Sequence, residues 1–177
     1  MNQKNSLGLN NCFLDLKDPI ELFKIWMDEA KKTEPNDPNA LALATADKKG
    51  VPSVRMVLLK NFSKEGFVFY TNLNSPKSNS LKENPNASMC FYWKSLLRQV
   101  RISGLISKVK DAEADKYYNS RGYESRIAAW ASNQSSKLKN RNELIESIEA
   151  YKKKYNDKEN VPRPDYWSGW NLSPTNI

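Results

Sequence analysis

Three strand-like runs follow one another at hairpin spacing, and this limits the possible folds more than any other feature of the chain. "ALALATA" (Ala40–Ala46), the run Val51–Asn61 and "EGFVFYTN" (Glu65–Asn72) are separated only by "DKKG" (Asp47–Gly50) and by "FSK" (Phe62–Lys64). Parallel neighbours need a crossover of about a dozen residues or more, so runs this close pair antiparallel. A short helix is predicted over Ser75–Asn84, with Ser75 as N-cap and Pro76 at the first helical position. Two more strands follow, Ala87–Trp93 and Arg98–Lys110. Before the strands, Asp18 caps a helix to about Thr33, on which Ile20, Phe23, Met27 and Ala30 recur at helical spacing. After them, Asp111 caps a helix to about Asn119, and Tyr123–Ser132 continues as helix or helical turn. Ser136–Tyr155 carries Leu138, Leu144, Ile145, Ile148, Tyr151 and Tyr155 on one helical face. Val161–Pro174 is an extended, proline-punctuated segment leading toward a final strand. This order predicts an α+β fold, with about five antiparallel strands in a small barrel or strongly curved sheet flanked by helices. The expected organisation is one domain over 18–177 preceded by a flexible segment over 1–17.

Several chemistries are excluded by what the chain lacks. It has no histidine, so Ser-His-Asp and Cys-His nucleophile systems are unavailable. Two cysteines without an imidazole cannot close a zinc site. Cys12 and Cys90 show no CxxC spacing and read as reduced structural thiols. No apolar run reaches the roughly 20 residues that span a bilayer. The opening "MNQKNSLGLNNCFLDL" has no signal-peptide pattern, so the expected compartment is the cytoplasm. Chemistry in such a chain relies on a bound cofactor.

The net charge of +8 suits anionic partners. Part of it is accounted for by "KKK" (Lys152–Lys154) and "KK" (Lys31–Lys32), which complement the C-terminal ends of predicted helices. Other cations sit where charge is costly. In "SVRMVLLKNF" (Ser53–Phe62), alternation puts Arg55, Val57 and Leu59 on one face and Met56, Leu58 and Lys60 on the other. These cations either snorkel at a strand edge or meet an anion. "SPKSN" offers Ser75, Lys77 and Ser78 at a helix N-terminus, which reads as a phosphate seat or as a plain capped helix. Gln99, Arg101 and Ser103 share one strand face, able to hydrogen-bond a planar heterocycle or simply solvated. Tyr117, Arg121 and Ser125 lie four apart, so on a continuous helix they form a phosphate clamp or a surface stripe.

Together, "RMVLLK" (Arg55–Lys60), "FYTN" (Phe69–Asn72), "SPKS" (Ser75–Ser78), "QVRISG" (Gln99–Gly104), "YYNSR" (Tyr117–Arg121) and "SRIAAWASNQSS" (Ser125–Ser136) stand in an order and spacing that resembles the pyridoxamine 5'-phosphate oxidases. The resemblance runs from about Asp18 to Ile177. It implies a homodimer of FMN-binding split β-barrels with FMN at the dimer interface. It also implies oxidation of pyridoxamine or pyridoxine 5'-phosphate to pyridoxal 5'-phosphate. Hydride would pass from the substrate C4' carbon to flavin N5, and O2 would reoxidise the flavin to give H2O2. Arg55, Lys77 and Thr71 would hold the cofactor phosphate. The backbone of Met56, Val57, Leu58 and Leu59 would run beside the flavin, with Lys60 closing the same stretch and Tyr70 on the same binding strand. Gln99, Gln134 and Ser135 would contact the ring or the ribityl chain. Lys60, Tyr117, Arg121 and Ser125 would seat the phosphorylated pyridine.

The chain departs from the family pattern at Pro76, where members commonly carry Arg. The pattern also continues beyond Ile177 into a strand that covers the substrate. The expectation is therefore weak oxidase activity, or a flavin-binding barrel that does not catalyse. A nucleic-acid-binding barrel, suggested by the charge and by Tyr70, Tyr92 and Trp93, is disfavoured because the basic residues are scattered.

Overall fold

The computed structural model describes residues 16–177, so Cys12, the N-terminal sequence pattern and most of the predicted flexible segment lie outside the described residues. The chain runs α1 (Pro19–Thr33), β1 (Ala40–Ala46), β2 (Pro52–Leu58), β3 (Asn61–Ser63), β4 (Gly66–Asn72), α2 (Pro76–Glu83), β5 (Asn86–Trp93), a 3₁₀ turn (Lys94–Leu96), β6 (Arg98–Lys108), α3 (Asp111–Asn119), α4 (Tyr123–Ala131), α5 (Arg141–Lys154) and β7 (Trp167–Asn176). The strands form one seven-stranded sheet in the order β2-β1-β5-β6-β7-β4-β3, with every pairing antiparallel.

The predicted strand Val51–Asn61 is in fact two strands, and they stand at opposite edges of the sheet. Only Leu59 and Lys60 join them. In a flat sheet of seven strands those edges lie roughly 29 Å apart, six spacings of about 4.8 Å. Two linking residues reach only about 10 Å. The sheet must therefore curl until its edges meet, which closes the half-barrel. Lys60 extends the β3–β4 ladder, its N–H donating to Val68 O at 2.8 Å, while the Leu59 N–H donates to Asn39 O beside β1 at 2.9 Å. The tight β3–β4 turn needs Gly66, whose φ is +144° and where a Cβ would sit 2.4 Å from Leu172 O.

The core fills the curl. Asp18 caps α1 by accepting from Ile20 N at 2.9 Å, and the helix buries Phe23, Met27 and Ala30. The Phe23 ring lies about 5–6 Å from those of Phe62, Phe67, Phe91 and Trp93, edge-on to three of them, which adds to area burial. Cys90 is a free thiol, half-buried on β5.

Several local expectations are corrected. Asp111 is the first residue of α3 rather than its cap; it pairs with Lys108 at 3.1 Å and Arg163 at 3.3 Å. Ser75 holds the N-cap position of α2 without a capping bond, because its hydroxyl donates to Asn72 O instead. The helix ends at Asn119 and a new one starts at Tyr123, as the two predicted runs have it, so Tyr117 and Ser125 do not share one continuous helix. α5 begins only at Arg141, where Asn140 Oδ1 accepts from Glu143 N. Leu138 therefore falls outside the helix, and Ile145 is exposed. The proline-punctuated segment ends in β7, which inserts between β6 and β4.

Candidate functional site

A cleft of about 650 Å³ opens between β2, β4, the start of α2, the α3–α4 break and the loop after α4. It gathers every site residue expected from sequence except Leu59 and Gln99. Arg55, Lys60, Lys77 and Arg121 line it, and among the described residues no Asp or Glu does.

Three of these cations contact neutral groups. Arg55 alternates inward on β2, and its guanidinium donates to Leu43 O at 3.0 Å, to Thr45 Oγ1 at 2.9 Å and to Ser53 Oγ. Lys77 lies in the first turn of α2 and is 7% exposed. Its ammonium donates to Gln134 Oε1 at 2.7 Å, Thr71 Oγ1 at 2.9 Å and Ser75 Oγ at 3.0 Å. Burial, helped by the nearby Arg55 charge, pulls its pKa from 10.5 down to about 8. Arg121 lies over the Trp167 ring at 4.8 Å, and its buried Nη1 has no partner. Burial lowers the pKa of both Arg55 and Arg121. Buried cations without counter-charges are costly. Hydrogen-bonding side chains around two of them and an orphaned N–H on the third give the cleft a donor set that suits an anion.

Aromatic rings make the wall beside these charges. Tyr70 stacks on Tyr117 at 4.0 Å between centroids and 16° between planes, and Trp167 lies nearly parallel to Tyr70 at 5.3 Å. Gly169 on β7 makes room for this stack, since a Cβ there would stand 2.8 Å from Tyr70 Cε1. Burial and the nearby Glu113 push the Tyr70 phenol up to about 12, so it stays protonated at neutral pH. Tyr117, Arg121 and Ser125 still face one cleft although their helix is broken, because the Ser120–Gly122 turn redirects α4 toward the same opening.

Two expected residues lie elsewhere. Leu59 is 4% exposed in the core, and its N–H and C=O are both bonded to Asn39. Gln99 lies on β6 with Arg101 and Ser103, as alternation predicts, but this face lines a separate groove of about 720 Å³ beside α1, Val54 and Met89. Trp167 and Gly122 line the cleft and were not expected from sequence. Trp167 reaches Arg121 only through the non-local placement of β7. For Gly122, the sole sequence signal was a glycine inside a helical pattern.

No group of three potential metal ligands occurs among the described residues, and no described helix is long and apolar enough to cross a membrane. A phosphorylated organic cofactor fits the donor set better than a metal does.

Known proteins resemble this chain closely. The family described as pyridoxamine 5'-phosphate oxidase matches residues 27–155. A Pelagibacter ubique protein named pyridoxine/pyridoxamine 5'-phosphate oxidase is 71% identical over 177 residues, covering 100% of this chain and 85% of that protein. A Bartonella henselae protein of the same name is 51% identical over 173 residues, 98% of this chain and 83% of that protein. Among solved structures, PhzG from Burkholderia lata in complex with tetrahydrophenazine-1-carboxylic acid aligns with a TM-score of 0.83 at 31% identity, over 90% of this chain and 78% of that one. A pyridoxamine 5'-phosphate oxidase-related, FMN-binding protein of Nostoc punctiforme aligns with a TM-score of 0.69 at 16% identity, over 91% and 83% of the two chains, and shares the fold.

Proposed function

The chain belongs to the pyridoxamine 5'-phosphate oxidase family, and on that premise we propose that it oxidises pyridoxamine or pyridoxine 5'-phosphate to pyridoxal 5'-phosphate, with FMN as cofactor and O2 as final acceptor, yielding H2O2. The observation that carries this reading is the gathering of four cations, Arg55, Lys60, Lys77 and Arg121, in one cleft that no carboxylate among the described residues lines. Four cations suit two phosphates, one on the cofactor and one on the substrate, and Arg55 and Lys77, close enough to feel each other's charge, are assigned to the first.

Bound FMN supplies the hydride acceptor for the substrate C4' carbon and passes the electrons to O2. The chain's own residues bind and orient. Lys77, Thr71 and Arg55 grip the cofactor phosphate through charge-assisted hydrogen bonds. The β2 segment Met56–Leu58 would flank the flavin, and Gln134 and Ser135, which line the same cleft from the loop after α4, would contact it. Arg121, whose buried Nη1 awaits an acceptor, seats the substrate phosphate with Lys60, Tyr117 and Ser125. The Tyr70–Tyr117–Trp167 wall keeps water from one side and fixes the Arg121 plane. Holding both phosphates turns hydride transfer into a positioned, effectively unimolecular step.

Gln99 completes the site from a second copy of the chain. On its own protomer Gln99 lines, with Arg101, a groove other than the cleft. Val54, Met56, Tyr92 and Leu97, all more than half exposed, supply apolar surface for a homodimer.

The test is colour and product. Purified protein should be yellow, release FMN on denaturation and form pyridoxal 5'-phosphate from pyridoxine 5'-phosphate in air. A colourless protein that fails to take up added FMN would overturn the reading. Bound FMN without product would reduce it to a flavin-binding barrel that does not catalyse.

A further inference from the structure

Gln134 touches a lysine 57 residues away in sequence, and the contact has a consequence for how the cleft takes an anion. Its carbonyl Oε1 accepts from Lys77 Nζ at 2.7 Å and from Thr71 Oγ1 at 2.8 Å. On the reading above, these are the donors that grip the cofactor phosphate. Lys77 has three N–H groups, and they go to Gln134, Thr71 and Ser75. Thr71 gives its one hydroxyl proton to Gln134. Neither donor has capacity left over. An anion oxygen can bond both only where an existing acceptor withdraws.

The acceptors differ in their freedom to do so. Ser75 is buried and tied to Asn72 O at 2.7 Å, and Thr71 lies within β4, paired to β7. Gln134 is an exposed residue on the loop between α4 and α5, beside Ser135 at φ +64°. It is the partner that can leave.

We propose that Gln134 is a resident competitor for the cofactor phosphate: its amide oxygen stands in for a phosphate oxygen between Lys77 and Thr71, and the cofactor binds by exchange with it. A primary amide then gains a second use. Rotation about its last torsion exchanges the oxygen for the NH₂ group, so the displaced competitor becomes a donor to the same phosphate. A carboxylate cannot make that switch. It would pair with Lys77 and repel the incoming anion. This proposal rests on the FMN reading and adds the exchange step to it.

The experiment measures binding of FMN, by stopped-flow quenching of flavin fluorescence, and of inorganic phosphate, by calorimetry. The proteins are the wild type, Gln134→Glu and Gln134→Ala. Gln134→Glu should bind both ligands at least about tenfold more weakly, because like charges then meet in the contact. Its ligand-free thermal midpoint should rise through the new ion pair with Lys77. Gln134→Ala should associate with FMN severalfold faster, having nothing to displace, and dissociate faster, having lost the donor. Wild-type affinity in Gln134→Glu, or association no faster in Gln134→Ala, would overturn the proposal while leaving the FMN reading intact. Wild-type protein that binds neither ligand would overturn both.

Discussion

Replacing Lys77 with Met should make the ligand-free protein more stable and its cofactor binding weaker. Met keeps the length and apolar stem of the side chain and removes the charge. The fold holds the Lys77 pKa at about 8 against an ordinary 10.5, so it disfavours the ammonium. A gap of that size corresponds to roughly 3 kcal/mol at neutral pH, at about 1.36 kcal/mol per pKa unit. The sign follows from proton binding. Below pH 8 the lysine is charged in both folded and unfolded chains, and the full cost falls on the fold. As pH rises from about 8 toward 10.5, the folded lysine gives up its proton first and the cost is relieved. Against this, Met forfeits the hydrogen bonds that the uncharged amine would keep, at most two from its two N–H groups, each worth about 1 kcal/mol net. Ser75 and Gln134 keep other partners, since Ser75 still donates to Asn72 O and Gln134 still accepts from Thr71. The expected balance at pH 7 is a gain of about 1 kcal/mol, or roughly 2–4 °C in thermal midpoint for a domain of this size. FMN affinity should fall by about 1.5–3 kcal/mol, roughly tenfold to a hundredfold. Calorimetric melting without ligand and FMN titration read the two effects separately. A Lys77→Met protein that melts lower than wild type and binds FMN equally well would refute the argument that this charge is held ready for an anion.

Other perturbations follow from the same geometry. Arg55→Ala should weaken FMN binding more than Arg121→Ala does, whereas Arg121→Ala should mainly raise the KM for the phosphorylated substrate; equal FMN loss with unchanged KM would undo this division of the cleft. Because Lys77 must be charged to hold a phosphate, FMN affinity should be level near pH 7 and fall about tenfold per pH unit once pH passes about 8, as measured by fluorescence titration. The exposed apolar strand β2 and the Gln99 groove predict a dimer in sedimentation, since specific interfaces usually bury more than roughly 1,000 Å². A monomer that still holds FMN would count against a second copy completing the site.

The cations were legible in the sequence because burying charge is costly whatever the fold. Arg55 beside Val54 and Val57, and Lys77 just inside a proline-started helix, each raised the question of a counter-ion before any geometry was known. The curl of the sheet was less legible. Leu59 and Lys60 continue the apolar run of β2 without Gly or Pro, so nothing local marks the point where the chain crosses to the far edge; sheet closure sets it. Trp167 was out of reach for the same reason, since it meets Arg121 only after β7 inserts between β6 and β4. The sequence already ended one helix at about Asn119 and resumed at Tyr123, and Tyr118 OH, bonded to Arg126 O at 3.0 Å across the turn, ties the two together.

The most direct test of the central claim is anaerobic mixing of the FMN-loaded protein with pyridoxine 5'-phosphate. The flavin's visible absorbance should bleach, pyridoxal 5'-phosphate should form in equal amount to the flavin, and air should restore the colour. Unphosphorylated pyridoxine should bleach it far more slowly, because nothing then engages Arg121. No bleaching by the phosphorylated substrate, or equal bleaching by both, would contradict the account.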